Sequence, residues 1–215
     1  MKGGYIDIYC ERVGREFWSE PLNAVTNIAF IIAAFCLVRM ILRADRTIRH
    51  DEAIWVLTSL VFLIGIGSAL FHTFATRWAL LTDVVPIAFF ILIYTWYALR
   101  RFVGARTWVC ALGVASVLGL AVAVPPLTGF RGGSYIAALT ALIVIGGFLS
   151  LALRQPAGHA LLFAAAVFAV SLTLRTIDEP LCDAFPLGTH FMWHVLNGCV
   201  LFIVVRALAL FGRRV

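Results

Sequence analysis

Five histidines occur in the 215-residue chain, and two of them, His190 and His194, stand four residues apart at the start of a long apolar run. On a helix this spacing stacks both imidazoles on one face, one turn apart. His72 closes a different apolar run, so an imidazole from a neighbouring helix can complete a set of nitrogen ligands. Catalytic zinc typically takes three protein ligands and keeps its fourth position for water. The chemistry that such a centre supports is metal-assisted hydrolysis. Asp83 lies just inside the run that follows His72, where a carboxylate is costly unless it is paired or solvated. It reads as a general base for the attacking water or as the partner of a metal ligand. A salt bridge to Arg77 or Arg175 is the alternative. Ser68, four residues before His72, sits one turn deeper on the same helix face. Its hydroxyl can bond back to its own helix or donate to a developing oxyanion. His50, among Arg46, Arg49, Asp51 and Glu52, and His159, at the start of a span, need no function.

The elements that must carry these residues follow from composition. The chain is 62% apolar and only 13% charged, with a mean hydropathy of +0.99. Ordinary soluble domains are far more charged, and disordered chains are poor in aromatics, whereas this one holds 17 Phe and 6 Trp. Seven apolar runs fall at about residues 22–42, 53–74, 78–99, 107–126, 133–153, 158–175 and 188–210. Each approaches the roughly 20 residues that a membrane helix needs, and none alternates as barrel strands do. The predicted fold is an all-α integral membrane bundle of seven helices, with residues 1–21 as an outer segment and 212–215 as a tail.

Met1–Glu20 has no apolar stretch of the signal-peptide kind. Pro125 and Pro126 are expected to end the fourth helix, and Gly65, Gly67, Gly146 and Gly147 to let helices approach closely. Eleven basic residues fall on one side of the predicted bundle, led by the cluster Arg39, Arg43, Arg46 and Arg49, against six on the other. The positive-inside rule then puts the N-terminus outside and the C-terminus in the cytoplasm. The net charge of +6 forms no aromatic-interleaved patch, so nucleic acid is not an expected partner, and no protein partner is indicated.

The run Gly67-Ser68-Ala69-Leu70-Phe71-His72, Asp83 fifteen residues after Ser68, and His190-Phe191-Met192-Trp193-His194 together resemble the alkaline ceramidases. These belong to a wider superfamily of seven-helix membrane hydrolases that includes the adiponectin receptors. Tyr9-Cys10-Glu11, followed by Glu20-Pro21-Leu22-Asn23 and Asn27, is similar to that family's Trp-Cys-Glu and Asn-x-x-Ser-Asn segments. The resemblance runs from about Asp7 to about Val205.

It implies that His72, His190 and His194 bind zinc, that Asp83 activates the attacking water and that Ser68 assists. The implied reaction is hydrolysis of ceramide to a sphingoid base and a fatty acid. It also implies a calcium site at the N-terminal segment. Glu11 and Glu20 match that site, but the family's Asp falls on Ile8, with Asp7 displaced by one, and its Asn falls on Val13. Asp7, Glu11 and Glu20 are therefore the candidate calcium ligands, with an ordinary solvated segment as the alternative. Cys10 and Cys182 both lie in outer segments, where a disulfide can persist, and the resemblance supports their pairing. A bacterial plasma membrane, with the zinc site near its outer face, fits the short loops and the excess of arginine over lysine. A receptor-like or transport protein with structural zinc, or a hydrolase of another acyl lipid, is the alternative function.

Overall fold

The computed structural model describes residues 5–129 and 132–213. Lys2, Arg131 and Arg214, which contribute to the charge asymmetry, lie outside the described residues, as do the first four residues of the outer segment and the last two of the tail. Among the described residues there is no strand. Seven helices are long and apolar enough to cross a membrane: α1 (Pro21–Arg43), α2 (Glu52–Phe74), α3 (Arg77–Val103), α4 (Thr107–Thr128), α5 (Gly133–Leu151), α6 (Pro156–Thr176) and α7 (His190–Phe211). Helices are the form in which such segments satisfy every backbone polar group internally. Consecutive helices pack on one another, and α7 closes the bundle by packing on α6, α1 and α2. Leu37, Ile41, Ile54, Leu57, Leu149 and Leu161 fill the centre.

The boundaries differ from the expected ones in three informative places. Helix α1 is interrupted at Asn27, whose side chain donates to the Asn23 carbonyl at 2.8 Å while Thr26 donates to the Leu22 carbonyl at 2.8 Å. Such back-bonding competes with the helical ladder. Helix α4 runs through Pro125 and Pro126 to Thr128 and stops at Gly129, which has φ of 67°. The prolines remove the N–H groups that would bond the Ala121 and Val122 carbonyls, yet their φ is helical and the helix runs on until the Gly129 N–H donates to the Pro125 carbonyl at 2.9 Å. Helix α7 begins at His190, not at residue 188, because Gly188 takes φ of 64°.

The last turn of α2, the starts of α1, α3 and α7 and the end of α6 meet at one end of the bundle. Residues 5–20 fold over that end. The Ile6 N–H donates to the Ala75 carbonyl at 2.7 Å, and a disulfide joins Cys10 to Cys182. At the opposite end α3 widens into a π-turn, Leu99–Val103, from which Arg101 grips both oxygens of Asp51 at 2.6 and 2.9 Å. Asp51 also caps the start of α2.

The α2–α3 crossing is the tightest contact near the site. A Cβ on Gly67 would stand 1.9 Å from the Thr82 carbonyl oxygen. That carbonyl has no partner at i+4 because residue 86 is proline. Gly65 and Gly146 likewise face neighbouring helices, but Gly147 faces open space and mediates no close contact. Because the obstacle at Gly67 is backbone, Gly67→Ala forces α2 and α3 apart. The expected cost is about 1–3 kcal/mol or more, read as a lower denaturation midpoint in detergent. An unchanged midpoint would show that the crossing is not held as tightly as described.

Candidate metal centre

His72 comes from the last turn of α2, and His190 and His194 come from the first two turns of α7. One ring nitrogen from each lies within 4.8 Å of the other two, and all three side chains are buried. The ring centroids are 4.7 to 5.1 Å apart. This is the only group of three or more His, Cys, Asp or Glu among the described residues with ligand atoms so gathered. His50 and His159 are exposed and take no part.

Hydrogen bonds fix which nitrogen of two of the rings faces inward. His72 Nδ1 is 2.5 Å from Glu20 Oε2, and an ionised carboxylate can only accept, so Nδ1 carries the hydrogen. His194 Nδ1 is 2.9 Å from Thr26 Oγ1. The Thr26 hydroxyl hydrogen is already given to the Leu22 carbonyl, with that of Asn23 at 3.1 Å. The imidazole must therefore donate, which leaves the lone pair on His194 Nε2. That Nε2 and His190 Nδ1 are buried without any partner. Buried polar atoms are rarely orphaned, and three imidazole nitrogens with outer hydrogen-bond partners are what zinc uses. The residues fit that ion.

The folded-over segment and the loop before α7 hold this arrangement from outside. The ring of Tyr9 stacks on His190 at a centroid distance of 3.6 Å. Burial raises the pKa of its phenol, with Arg175 opposing the shift. Asp178 is 2% exposed. Its Oδ1 accepts from the N–H groups of Thr189 (2.6 Å) and His190 (2.8 Å), and its Oδ2 from that of Cys10 (3.0 Å). One carboxylate thus starts the ligand helix and fastens the disulfide-bonded segment to it.

Asp83 sits beside this cluster in the first turns of α3. The Ser68 hydroxyl faces its carboxylate, and His72 and Arg175 both act on it electrostatically. Among the described residues Asp83 forms no ion pair, with Arg77, Arg175 or any other cation. Arg175 instead lies over the faces of Tyr135 and Trp193, 5.2 and 5.5 Å from their centroids. Below the histidines a partly open apolar cleft runs into the bundle, lined by Phe30, Ile64, Phe90, Trp193 and Val204 among others. On its wall Tyr94 donates to the Val204 carbonyl (3.1 Å), and Asn197 to the Trp193 carbonyl (2.8 Å) and the Ser171 hydroxyl (3.0 Å).

The calcium donor set does not fit the arrangement. Asp7 is exposed and apart from the two glutamates. The Glu11 oxygens accept from the N–H groups of Leu22 (2.6 Å) and Asn23 (2.8 Å), so this residue caps α1. Burial raises the pKa of its carboxyl even though these bonds oppose the shift. The Glu20 oxygens are taken by Arg12, His72 and Asn23. Burial works against its ionisation, but the contacts from His72 and Arg12 outweigh it and lower its pKa. Nor is the segment an ordinary solvated one, since Glu11, Arg12 and Glu20 are 8%, 4% and 2% exposed.

Nothing in the local sequence marks Thr26, Arg12 or Asp178 as parts of the site, because their partners there are 60 to more than 160 residues away; Tyr9 lies in a motif of the resemblance, but its stacking on His190 is not marked there. The sign that could have been read is the charge of Glu11, Arg12 and Glu20 just ahead of the first apolar run. No curated protein matches the chain. The family model described as Ceramidase matches residues 8–213, which takes in the folded-over segment, all seven helices and every residue of the histidine cluster, and the chain belongs to the ceramidase family of amide hydrolases.

Proposed function

We propose that this chain is a membrane-embedded, zinc-dependent amidohydrolase that cleaves ceramide, or a ceramide-like lipid, to a sphingoid base and a fatty acid. The observation that carries the reading is the pair of orphaned ring nitrogens in the buried three-histidine cluster, with Asp83 beside it in no ion pair among the described residues. His72, His190 and His194 hold the metal. Zinc bound there supplies a Lewis acid for the amide carbonyl and brings the pKa of water to about 7. Asp83 takes the proton of the attacking water and returns it to the leaving amine. Ser68 donates to the Asp83 carboxylate; once Asp83 has taken the proton, the hydroxyl hydrogen is released for the oxyanion. The apolar cleft takes an acyl or sphingoid chain, because its wall offers hydrocarbon and few free polar groups. Arginine asymmetry favours an outer location for the site, in a bacterial plasma membrane.

A lipid panel tests this reading. Purified protein is given labelled ceramide, another N-acyl amide and an acyl ester, with and without a zinc chelator. Fatty acid is expected from ceramide, is expected to vanish with chelation and to return with added zinc. Zinc retained with no product from any lipid would favour a receptor-like or transport role, and preference for the ester would change the substrate.

A further inference from the structure

Arg12 is a cation buried outside the membrane helices. Its side chain is 0% exposed. The guanidinium donates through Nε to Glu20 Oε1, through Nη1 to the Gly14 carbonyl at 3.2 Å and through Nη2 to the His72 carbonyl at 2.8 Å. One carboxylate and two main-chain carbonyls form a hard oxygen set of the kind that calcium takes, yet here it closes on a covalently attached charge. The side chains that would add oxygens are absent: Ile8 and Val13 are apolar and 37% and 93% exposed. Within this set one guanidinium faces one carboxylate, and the neighbouring Glu11 carboxyl is already engaged by the N–H groups of Leu22 and Asn23. A calcium ion added beside Arg12 would set two positive charges more against it in a poorly solvated space, where repulsion is weakly screened.

The same guanidinium reaches the candidate metal centre. Glu20 holds Arg12 on one oxygen and His72 Nδ1 on the other. Arg12 also grips the backbone of His72 itself. Its planar fork suits this double grip in a way that a lysine point charge does not.

We propose that Arg12 is the resident cation of the N-terminal segment, standing where a bound calcium would otherwise gather these oxygens. It acts as a positioning residue that fixes His72 through Glu20, so the site assembles without calcium. The role in fixing His72 rests on the reading of the three histidines as a zinc centre.

The full-length protein in detergent tests both halves. Calcium chloride alone is titrated into the wild type, and the unfolding midpoint is compared in calcium and in a calcium-selective chelator. No binding heat at micromolar calcium and no shift in midpoint are expected; saturable binding, or a rise of several degrees, overturns the calcium-free assignment. Zinc affinity is then measured by competition with a chromophoric chelator. Arg12→Gln is expected to weaken it by about 10–100-fold, the usual effect of removing an outer partner of a metal ligand. Arg12→Lys is expected to fall between Arg12→Gln and the wild type, which keeps the test open if the glutamine variant does not fold. Glu20→Gln should show a similar loss, and the double variant Arg12→Gln/Glu20→Gln little further loss, because the two act in series. Undiminished zinc affinity in both folded Arg12 variants sinks the positioning role. Absence of zinc from the wild type would instead overturn the zinc centre, while the calcium arm still decides the other half.

Discussion

His194→Ala is expected to strip zinc from the purified protein and to reduce hydrolysis to the background of the assay. The wild type should carry about one zinc per chain, since three imidazoles form a ready site. Two imidazoles and solvent do not replace it, because His194 Nε2 is one of two buried ring nitrogens that nothing else satisfies. A graded companion separates ligation from mere packing. Thr26→Val keeps the volume at Thr26 but removes the oxygen that accepts from His194 Nδ1. The imidazole is then free to take the other tautomer, and zinc affinity should fall by about 10–100-fold without being abolished. His159→Ala, at an exposed position, should change neither quantity. Elemental analysis and a labelled-ceramide assay on the wild type and the three variants read the outcome. Equal zinc in the wild type and His194→Ala would remove His194 from the site.

What could be read from the sequence was what the bilayer and helical spacing enforce. Apolar runs of membrane length became the seven long helices. The i, i+4 pair His190 and His194 met His72 because alternating helices return to the same end of the bundle. The pairing of Cys10 with Cys182 is present as well. The work of the N-terminal segment was not legible in this way. Glu20 matches a calcium ligand by position, yet its carboxylate orients a histidine. Asp178 resembles an ordinary loop acid, yet it caps a helix that starts twelve residues later. Such roles depend on how a segment folds across a bundle end, and no periodicity encodes them.

The small departures have physical causes of the same kind. Pro125 and Pro126 each cost α4 a backbone donor, but their fixed φ is helical, so the helix continues through them until Gly129 takes a positive φ. Helix α1 is interrupted at Asn27, where Asn27 and Thr26 bond backward, and the Thr26 hydroxyl there meets His194. A polar pair that breaks local regularity thus serves the site, which is where local and global preferences most often conflict.

Asp83→Asn is expected to bind zinc as the wild type does and to lose most of its hydrolysis. Carboxamide and carboxylate are nearly isosteric, and Asp83 is not one of the three gathered nitrogen donors, so the metal should stay. The proton acceptor is gone, and loss of a general base typically costs about 10²–10⁴-fold. Ser68→Ala should lose less, on the order of 10–10³-fold, since its hydroxyl is a donor to charge that zinc also stabilises. Because Ser68 faces Asp83, the two losses should not add: the double variant Ser68→Ala/Asp83→Asn should fall well short of their product. The return of the proton can be separated from its removal with a p-nitrophenyl ester of the same acyl chain. This leaving group departs without protonation, so Asp83→Asn should be less impaired on the ester than on the amide. Asp83→Asn that keeps zinc and cleaves ceramide at the wild-type rate would make Asp83 structural and assign the proton to another group. Equal impairment on both substrates would confine Asp83 to activating the water.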